Sequence, residues 1–262
     1  MHLTDALGTE HVPAPEARIV SLVPSITEML CALGLAPQLV GRTGFCIHPH
    51  SVVGAIAKVG GTKDVNLDKI RKLAPTHVIV NIDENEKSTA DALAAFVPHL
   101  VVTHPMGPRD NLALARLLGA LFCVAERAEA WCAAFEAEYA RLQAAPKGRP
   151  ATVLYCIWQD PWMSIASDTY IARMLAEIGW RTPVLGAQRY PVFTWNEALL
   201  AQIDCVLLSS EPYRFTQAHA DALEKQIGKP VYVIDGEMMS WYGSRSLEAL
   251  GYLRALAGNG WV

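Results

Sequence analysis

Short apolar runs alternate along this chain with segments whose apolar residues recur at helical spacing. RIVSLV (18–23) reads as a buried strand, and SITEMLCALGLA (25–36) as a helix that stops at Gly34. Ser25 and Glu28 stand three apart at its start, the spacing of a capping box. QLVGRT (38–43) is a second strand, NLDKIRKLA (66–74) a helix and HVIVNI (77–82) a strand. TADALAAF (89–96) is helical again and HLVVTH (99–104) extended. The second half repeats the grammar. TVLYCIW (152–158), CVLLSS (205–210) and VYVIDG (231–236) are strands. TYIARMLAEIG (169–179), WNEALLAQI (195–203), HADALEKQI (219–227) and the closing SRSLEALGYLRALAG (244–258) are helices. Strands buried on both faces, alternating with helices, predict α/β architecture with parallel sheets.

The halves echo one another. VNLDKIRKLAPTHVIVN and TWNEALLAQIDCVLLSS share an order of Asn, acid, helix and buried strand. Two similar lobes follow, an N-terminal one over 1–108 and a C-terminal one over 146–262. Between them, 109–145 lies between Pro108 and Pro146, holds no proline and only one glycine, Gly119. A single connecting helix filling much of that gap would be roughly 50 Å long. Trp131, Phe135 and Tyr139 would form its apolar stripe. The alternative is two ordinary helices broken near Gly119. One stiff connector would leave the lobes little freedom to swing, and points to a ligand cleft between them.

Composition narrows the partners. The 262 residues are 52% hydrophobic, enough for a substantial core, and the formal net charge is -4. With no basic run, nucleic acid and anionic membrane are disfavoured as partners. No apolar stretch approaches the ~20 residues of a membrane span. The first residues, MHLTDALGTEHVPAPEAR, lack a basic segment followed by an apolar one. The chain as written therefore reads as cytoplasmic, or as periplasmic if it is a processed form. The six cysteines form no CxxC pair and read as core thiols.

The motifs of nucleotide hydrolysis, dinucleotide redox chemistry, serine hydrolysis and zinc proteolysis are missing from the sequence. Attention moves to the loops at the carboxyl ends of the strands, where open α/β sheets meet ligands. Those of the second half are dense in rings: Trp158, Trp162, Tyr190, Phe193, Trp195, Tyr213, Phe215, Trp241 and Tyr242. Such a rim suits a large, partly apolar, ring-like ligand, although any one ring alone also serves to close the core. Arg245 is placed either to clamp a ligand carboxylate or phosphate or to cap the last helix. In the first half, FCIHPH puts Cys46, His48 and His50 at alternate positions, which an extended segment would turn to one side as a soft-metal contact. GGTKD either offers Lys63 and backbone N–H groups to an anion or carries Lys63 only as a solvated loop lysine. DEN (83–85) either offers Asp83 and Glu84 to polar ligand edges or uses them only to solvate the loop.

With RIVSLVPSITEMLCALGL, VGGTKDVNLDKIRKLAPTHVIV, the proline-flanked connector, WMSIASDTYIARMLAEIG and TWNEALLAQIDCVLLSS laid out in that order, the chain from about Arg18 onward resembles the class III, helical-backbone periplasmic binding proteins. Within that family it is most similar to the vitamin B12-binding receptors of ABC importers. The resemblance implies a substrate-binding protein, monomeric and not an enzyme. It would hold cobalamin or another metal chelate as cargo, with no catalytic cofactor. It places ligand contacts at Phe45, Thr62 and Asp83 or Glu84, then Trp162, Val192 or Phe193, and Arg245. It also places the two acids that dock an importer's arginines at Asp68 and Glu197. The chain departs from the pattern at Thr62, where the family has an aromatic, at FCIHP, where it has a tyrosine-containing segment, and in its missing export signal. In these it resembles a signal-less branch of the helical-backbone metal receptors. Heme and iron–siderophore remain alternative ligands. A cytosolic cofactor-handling enzyme or chaperone using Cys46, His48 and Glu84 is the alternative class of function.

Overall fold

The computed structural model describes residues 3–258, which divide into two units. The first takes the described chain through Pro105, then Arg109–Glu136 and Tyr242–Arg245. The second takes Met106–Pro108, Ala137–Trp241 and the chain from Ser246 on.

In the first unit, β1 (Ile19–Ser21) leads into α1 (Pro24–Ala32), then β2 (Leu39–Arg42), α2 (His50–Val53) and β3 (Ala57–Lys58). These are followed by α3 (Leu67–Leu73), β4 (His77–Asn81), α4 (Lys87–Ala94), β5 (His99–Thr103) and α5 (Asp110–Leu121). The five strands are parallel in the order β3-β2-β1-β4-β5, with the direction of winding reversing between β1 and β4. Val20, Val78 and Val80 of the central strands, with Leu22 just after β1, pack with Ile70 of α3 and Leu93 of α4. This burial on both faces accounts for the unbroken apolar runs in the sequence.

The N-terminal arm covers the edge of β5. Ala6 N–H donates to Val102 C=O, and Val102 N–H donates to the buried Asp5 carboxylate. An uncovered strand edge is a template for pairing with another chain, so this arm closes it.

Two expectations are corrected here. Helix α1 starts two residues earlier than the Ser25 capping box would have it. Pro24 occupies its first turn, where its fixed φ and missing N–H cost nothing, and Val23 is the N-cap with no side-chain cap. Glu28 is bound elsewhere, to Arg245. The connector over 109–145 is not one helix but two, α5 and the 20-residue α6 (Ala125–Ala144). The break centres on Cys123, in the left-handed region at φ 58°, with Val124 N–H bonded back to Gly119 C=O. A Cβ on Gly119 would lie 2.4 Å from that of Ala128, so glycine is what lets the second helix start so close over the first. Arg116 of α5 holds Glu129 of α6 through two hydrogen bonds of 2.9 and 3.0 Å. On α6, Phe135 is buried beside Trp131, and Tyr139 donates to Glu177 in the second unit.

The second unit contains β6 (Ala151–Trp158), β7 (Met163–Ser164), α7 (Tyr170–Ala176), β8 (Trp180–Arg181) and α8 (Glu197–Leu200). It continues with β9 (Cys205–Ser209), α9 (Gln217–Ile227), β10 (Val231–Ile234), α10 (Gly236–Ser240) and α11 (Ser246–Gly258). Strands β10, β9 and β6 run parallel, β7 turns back antiparallel on β6, and β8 pairs with the start of β6. The helix expected over 195–203 is regular only from Glu197 to Leu200.

The half-repeats share a cap. Asn66 Oδ1 accepts from Lys69 N–H and Asn196 Oδ1 from Leu199 N–H, both at 2.9 Å. The acid is displaced by one between them: Glu197 follows its asparagine directly, whereas Asp68 comes two residues after. Of the cysteines, Cys46, Cys132, Cys156 and Cys205 are buried as expected, but Cys31 is half-buried and Cys123 exposed.

Candidate functional site

In the first unit the carboxyl ends of β1 and β4 flank the point where the winding reverses, where an open α/β sheet forms its crevice. Asn85 organises it. Its Nδ2 donates to Leu22 C=O (3.3 Å) after β1 and to Thr62 C=O (2.9 Å) after β3, and its Oδ1 accepts from Asn81 N–H. Asn81 in turn accepts from Asp83 N–H. Two asparagines around a turn at the end of a buried strand bind their own backbone in this way. The turn leaves Ile82 44% exposed.

Asp83 and Glu84 already have partners within this unit. Asp83 lies 3.4 Å from His104 Nε2. The Glu84 carboxylate accepts from the Tyr242 hydroxyl, with Ser25 beside it. Burial, and the Glu84 charge next to it, push the Tyr242 phenol well above its ordinary value, so it stays a donor.

The FCIHPH segment is not extended. It turns at Gly44 and Phe45 and enters α2 at His50, which leaves Cys46 buried but His48 half-buried and His50 exposed. Phe45 is 63% exposed and Cys46 is buried. The Cys46 thiol lies 3.1 Å from Thr27 Oγ1 and 3.2 Å from Thr43 Oγ1, and burial raises its pKa. The His48 and His50 rings are 6.2 Å apart. Among the described residues, no group of three or more His, Cys, Asp and Glu side chains is arranged to hold a metal ion. The proposed soft-metal contact is therefore not assembled by protein side chains alone. Arg42 spends its guanidinium on Val53 C=O and Thr43 C=O and so anchors this loop. Lys63 stays exposed on the GGTKD turn.

In the second unit the rings gather. Residues 159–162 join β6 to β7, with Asp160 at φ 58°, a conformation aspartate tolerates better than most residues. Phe193 N–H donates to Trp162 C=O, so two distant loops meet. Trp162 is half-buried and lies parallel to Phe215 (5.8 Å, 7°), edge-on to Trp195 (5.3 Å, 79°) and tilted against Phe193 (6.3 Å). Trp158, 39% exposed, stands edge-on to Tyr213 at 5.5 Å. Phe193 and Phe215 belong to the core beneath, on which Trp162, Trp195 and Tyr213 pack. Val192 projects outward, 51% exposed. Phe193 is thus the floor of the platform, and Val192 its surface.

Two rings of the expected rim, and Arg245 beside them, are engaged elsewhere. Trp241 is buried, and its Nε1 donates to Glu211 at 2.8 Å. Glu211 also accepts from Ser240 Oγ, and burial raises its pKa. Tyr242 is buried in the first unit, not on the second unit's rim. Arg245 also sits in the first unit and grips Glu28 with two bonds of 2.7 and 3.0 Å, so its fork is spent on a protein carboxylate. Asp68 and Glu197 are exposed in the first turns of their helices, and Asp68 lies 3.3 Å from Arg71.

Two α/β units, each gathering polar or aromatic loops at the carboxyl ends of its strands, define an α/β ligand-binding protein. The chain belongs to the periplasmic binding protein family, which it matches over residues 19–224. It is 23% identical over 240 residues to the vitamin B12-binding protein of Pectobacterium carotovorum, covering 88% of this chain and 85% of that protein. Its fold is that of the periplasmic heme-binding protein RhuT from Roseiflexus sp. RS-1 (TM-score 0.79, 21% identity, 94% of this chain and 100% of that one). It is also that of the vitamin B12-binding protein BtuF of Vibrio cholerae (TM-score 0.76, 18% identity, 94% and 100%). No helix among the described residues is long and apolar enough to cross a membrane.

Proposed function

We propose that this chain is the substrate-binding component of an ABC importer or a cofactor-salvage system, and that its cargo is a metal-bearing tetrapyrrole-like chelate of the cobalamin class. The observation that carries this is the Trp162 platform, a half-buried indole backed by Phe215 and framed by Trp195 and Phe193. A corrin offers broad apolar faces and amide edges, which such a platform holds by contact without ligating the metal. The exposed Phe45 and Ile82 on the first unit's loops give a second apolar surface of the same kind. The similarity to a vitamin B12-binding protein supports the same reading.

Heme is the second reading, favoured by the similarity to RhuT. Metal ligation by Cys46 has no support from its geometry, since that thiol is enclosed by two threonines. The same enclosure, with Glu84 engaged by Tyr242, weighs against an enzyme built on Cys46, His48 and Glu84. For docking an importer's arginines, Glu197 is the better placed acid, because Asp68 already has Arg71 beside it.

The test is titration of the purified protein with cyanocobalamin, cobinamide, hemin and a ferric chelate, followed by visible spectra and calorimetry. Binding of a corrinoid supports the reading. A Soret shift with hemin alone moves the assignment to heme. Failure of all four sinks it.

A further inference from the structure

The ladder of β4 and β5 continues one residue beyond both strands. The register pairs Asn81 with Thr103, and Ile82 N–H then donates to Thr103 C=O at 3.2 Å. Ile82 and His104 therefore stand side by side at the carboxyl edge of the first sheet. Ile82 is one of the exposed apolar side chains of this edge. The His104 side chain is 23% exposed, and its Nε2 lies 3.4 Å from the Asp83 carboxylate. That nitrogen is buried and makes no hydrogen bond, so the exposure falls on the rest of the ring, which includes Nδ1. Metal-ligating histidines are held in this way, with one nitrogen toward a carboxylate that fixes the ring and raises the basicity of the other.

We infer that His104 ligates the metal of the bound chelate through Nδ1, with Asp83 as its positioning residue. The inference rests on the chelate reading and narrows it. The ligand is one whose metal keeps an exchangeable axial position, such as ferric heme or a corrinoid without its own nucleotide base. A bare metal ion is the poorer occupant. Among the described residues no three His, Cys, Asp or Glu side chains are grouped to hold one, whereas protein metal sites supply three or four ligands. A chelate brings its equatorial donors with it, so a single imidazole completes the set. The Trp162 platform makes no bond to metal, and the two contacts are independent.

Hemin, diaquocobinamide and cyanocobalamin would be titrated into the full chain at about pH 8, where an ordinary histidine is neutral, and followed by calorimetry and visible spectra. Cyanocobalamin has both axial positions filled and serves as the control. The inference expects hemin or diaquocobinamide to bind with the spectrum of an imidazole-ligated metal. Which of the two does so tells heme from corrinoid. His104→Ala should lose that spectrum and bind roughly tenfold or more weakly. His104→Gln, closer in size, replaces it if thermal unfolding shows the alanine variant unfolded. Asp83→Asn should keep the imidazole-ligated bands but displace them, because the imidazole is then a weaker donor. A merely structural aspartate would leave the band positions unchanged. Binding without the imidazole-ligated spectrum, or the same spectrum in wild type and in the His104 variant, overturns the inference and leaves the chelate reading standing. Binding of cyanocobalamin alone does the same, and so does a His104 variant that loses affinity with no change of spectrum. No heat from any of the three, nor from a ferric chelate, sinks the chelate reading itself and the inference with it.

Discussion

The Trp162 ring lies parallel to the Phe215 ring, 7° from coplanar with centroids 5.8 Å apart. One indole therefore has two roles, roofing the core of the second unit and presenting a surface. Trp162→Ala should lose corrinoid affinity roughly ten- to hundredfold, the worth of about 1.5–3 kcal/mol of aromatic contact. It should also lower the melting temperature, because Phe215 loses its cover. Trp162→Phe should restore most of the stability and part of the affinity. Calorimetry and thermal unfolding on the three proteins separate the two roles. Unchanged affinity in the alanine variant removes Trp162 from the binding surface.

Tyr242 and Glu84 make the corresponding structural pair of the first unit. Tyr242→Phe deletes the donor and leaves a carboxylate of the β4 loop short of a partner, at a cost of about 1–3 kcal/mol. A lowered urea midpoint would show this. Since the phenol is pushed up by burial and by the carboxylate beside it, no tyrosinate absorbance from this residue should develop as pH rises toward 10 in the folded protein.

A different kind of test uses acid. His77 is buried at the start of β4, stacked on His99 at 4.6 Å and edge-on to Phe122. Burial first, then the His99 and His11 charges, lower its pKa to about 4. The nearby His11–Asp5 pair supplies the other titratable groups of this corner. The unfolded state takes up the proton near pH 6.5 and the folded state only near 4. Stability therefore falls as pH drops from about 6.5 to about 4, by on the order of 3 kcal/mol at most. Replacing His77 with glutamine should flatten the melting temperature across that window. A profile identical to wild type would show that His77 is not its source.

Most of the fold was legible because buried parallel strands write themselves as unbroken apolar runs and helices as period-3.6 stripes. CVLLS and HVIVN could be read directly. What escaped were pieces set by a few tertiary bonds. The strand β7 has two residues, and α2 is a single turn held by Arg42. The break between α5 and α6 rests on one close approach at Gly119. At the site, residue type correctly pointed to the carboxyl-end loops but did not reveal which side chains were already taken. Arg245 and Tyr242 look like ligand contacts in sequence because their partners, Glu28 and Glu84, lie more than 150 positions away.

Thiol chemistry offers an inexpensive check on the metal question. Cys123 is exposed and Cys31 half-buried, with burial raising the latter's pKa to about 11. Cys46, Cys132, Cys156 and Cys205 are buried, and burial raises each of their pKa values. Native protein with a disulfide reagent should therefore release about one equivalent quickly, assigned to Cys123 by its loss in Cys123→Ser. Fast modification of Cys46, located by peptide mapping, would show that its loop opens and would return it to the list of candidate ligands.

Arg245 and Glu28 form a paired fork that is about four-fifths or more buried on both sides, with side-chain exposures of 12% and 19%. Next to it, Gly243 at φ 80° donates its N–H to the buried Asn111, and a Cβ there would meet that of Met29 at 3.0 Å. Tyr242, Gly243 and Arg245 therefore each fasten this segment to the first unit. Arg245→Ala leaves Glu28 partly desolvated without its cation and should cost about 2–4 kcal/mol, less than a fully buried pair. Glu28→Gln should cost less, because a neutral amide still accepts from the guanidinium. If Arg245 instead served the ligand, its alanine variant would keep wild-type stability and lose affinity. Urea unfolding and corrinoid titration on the same samples distinguish the two outcomes.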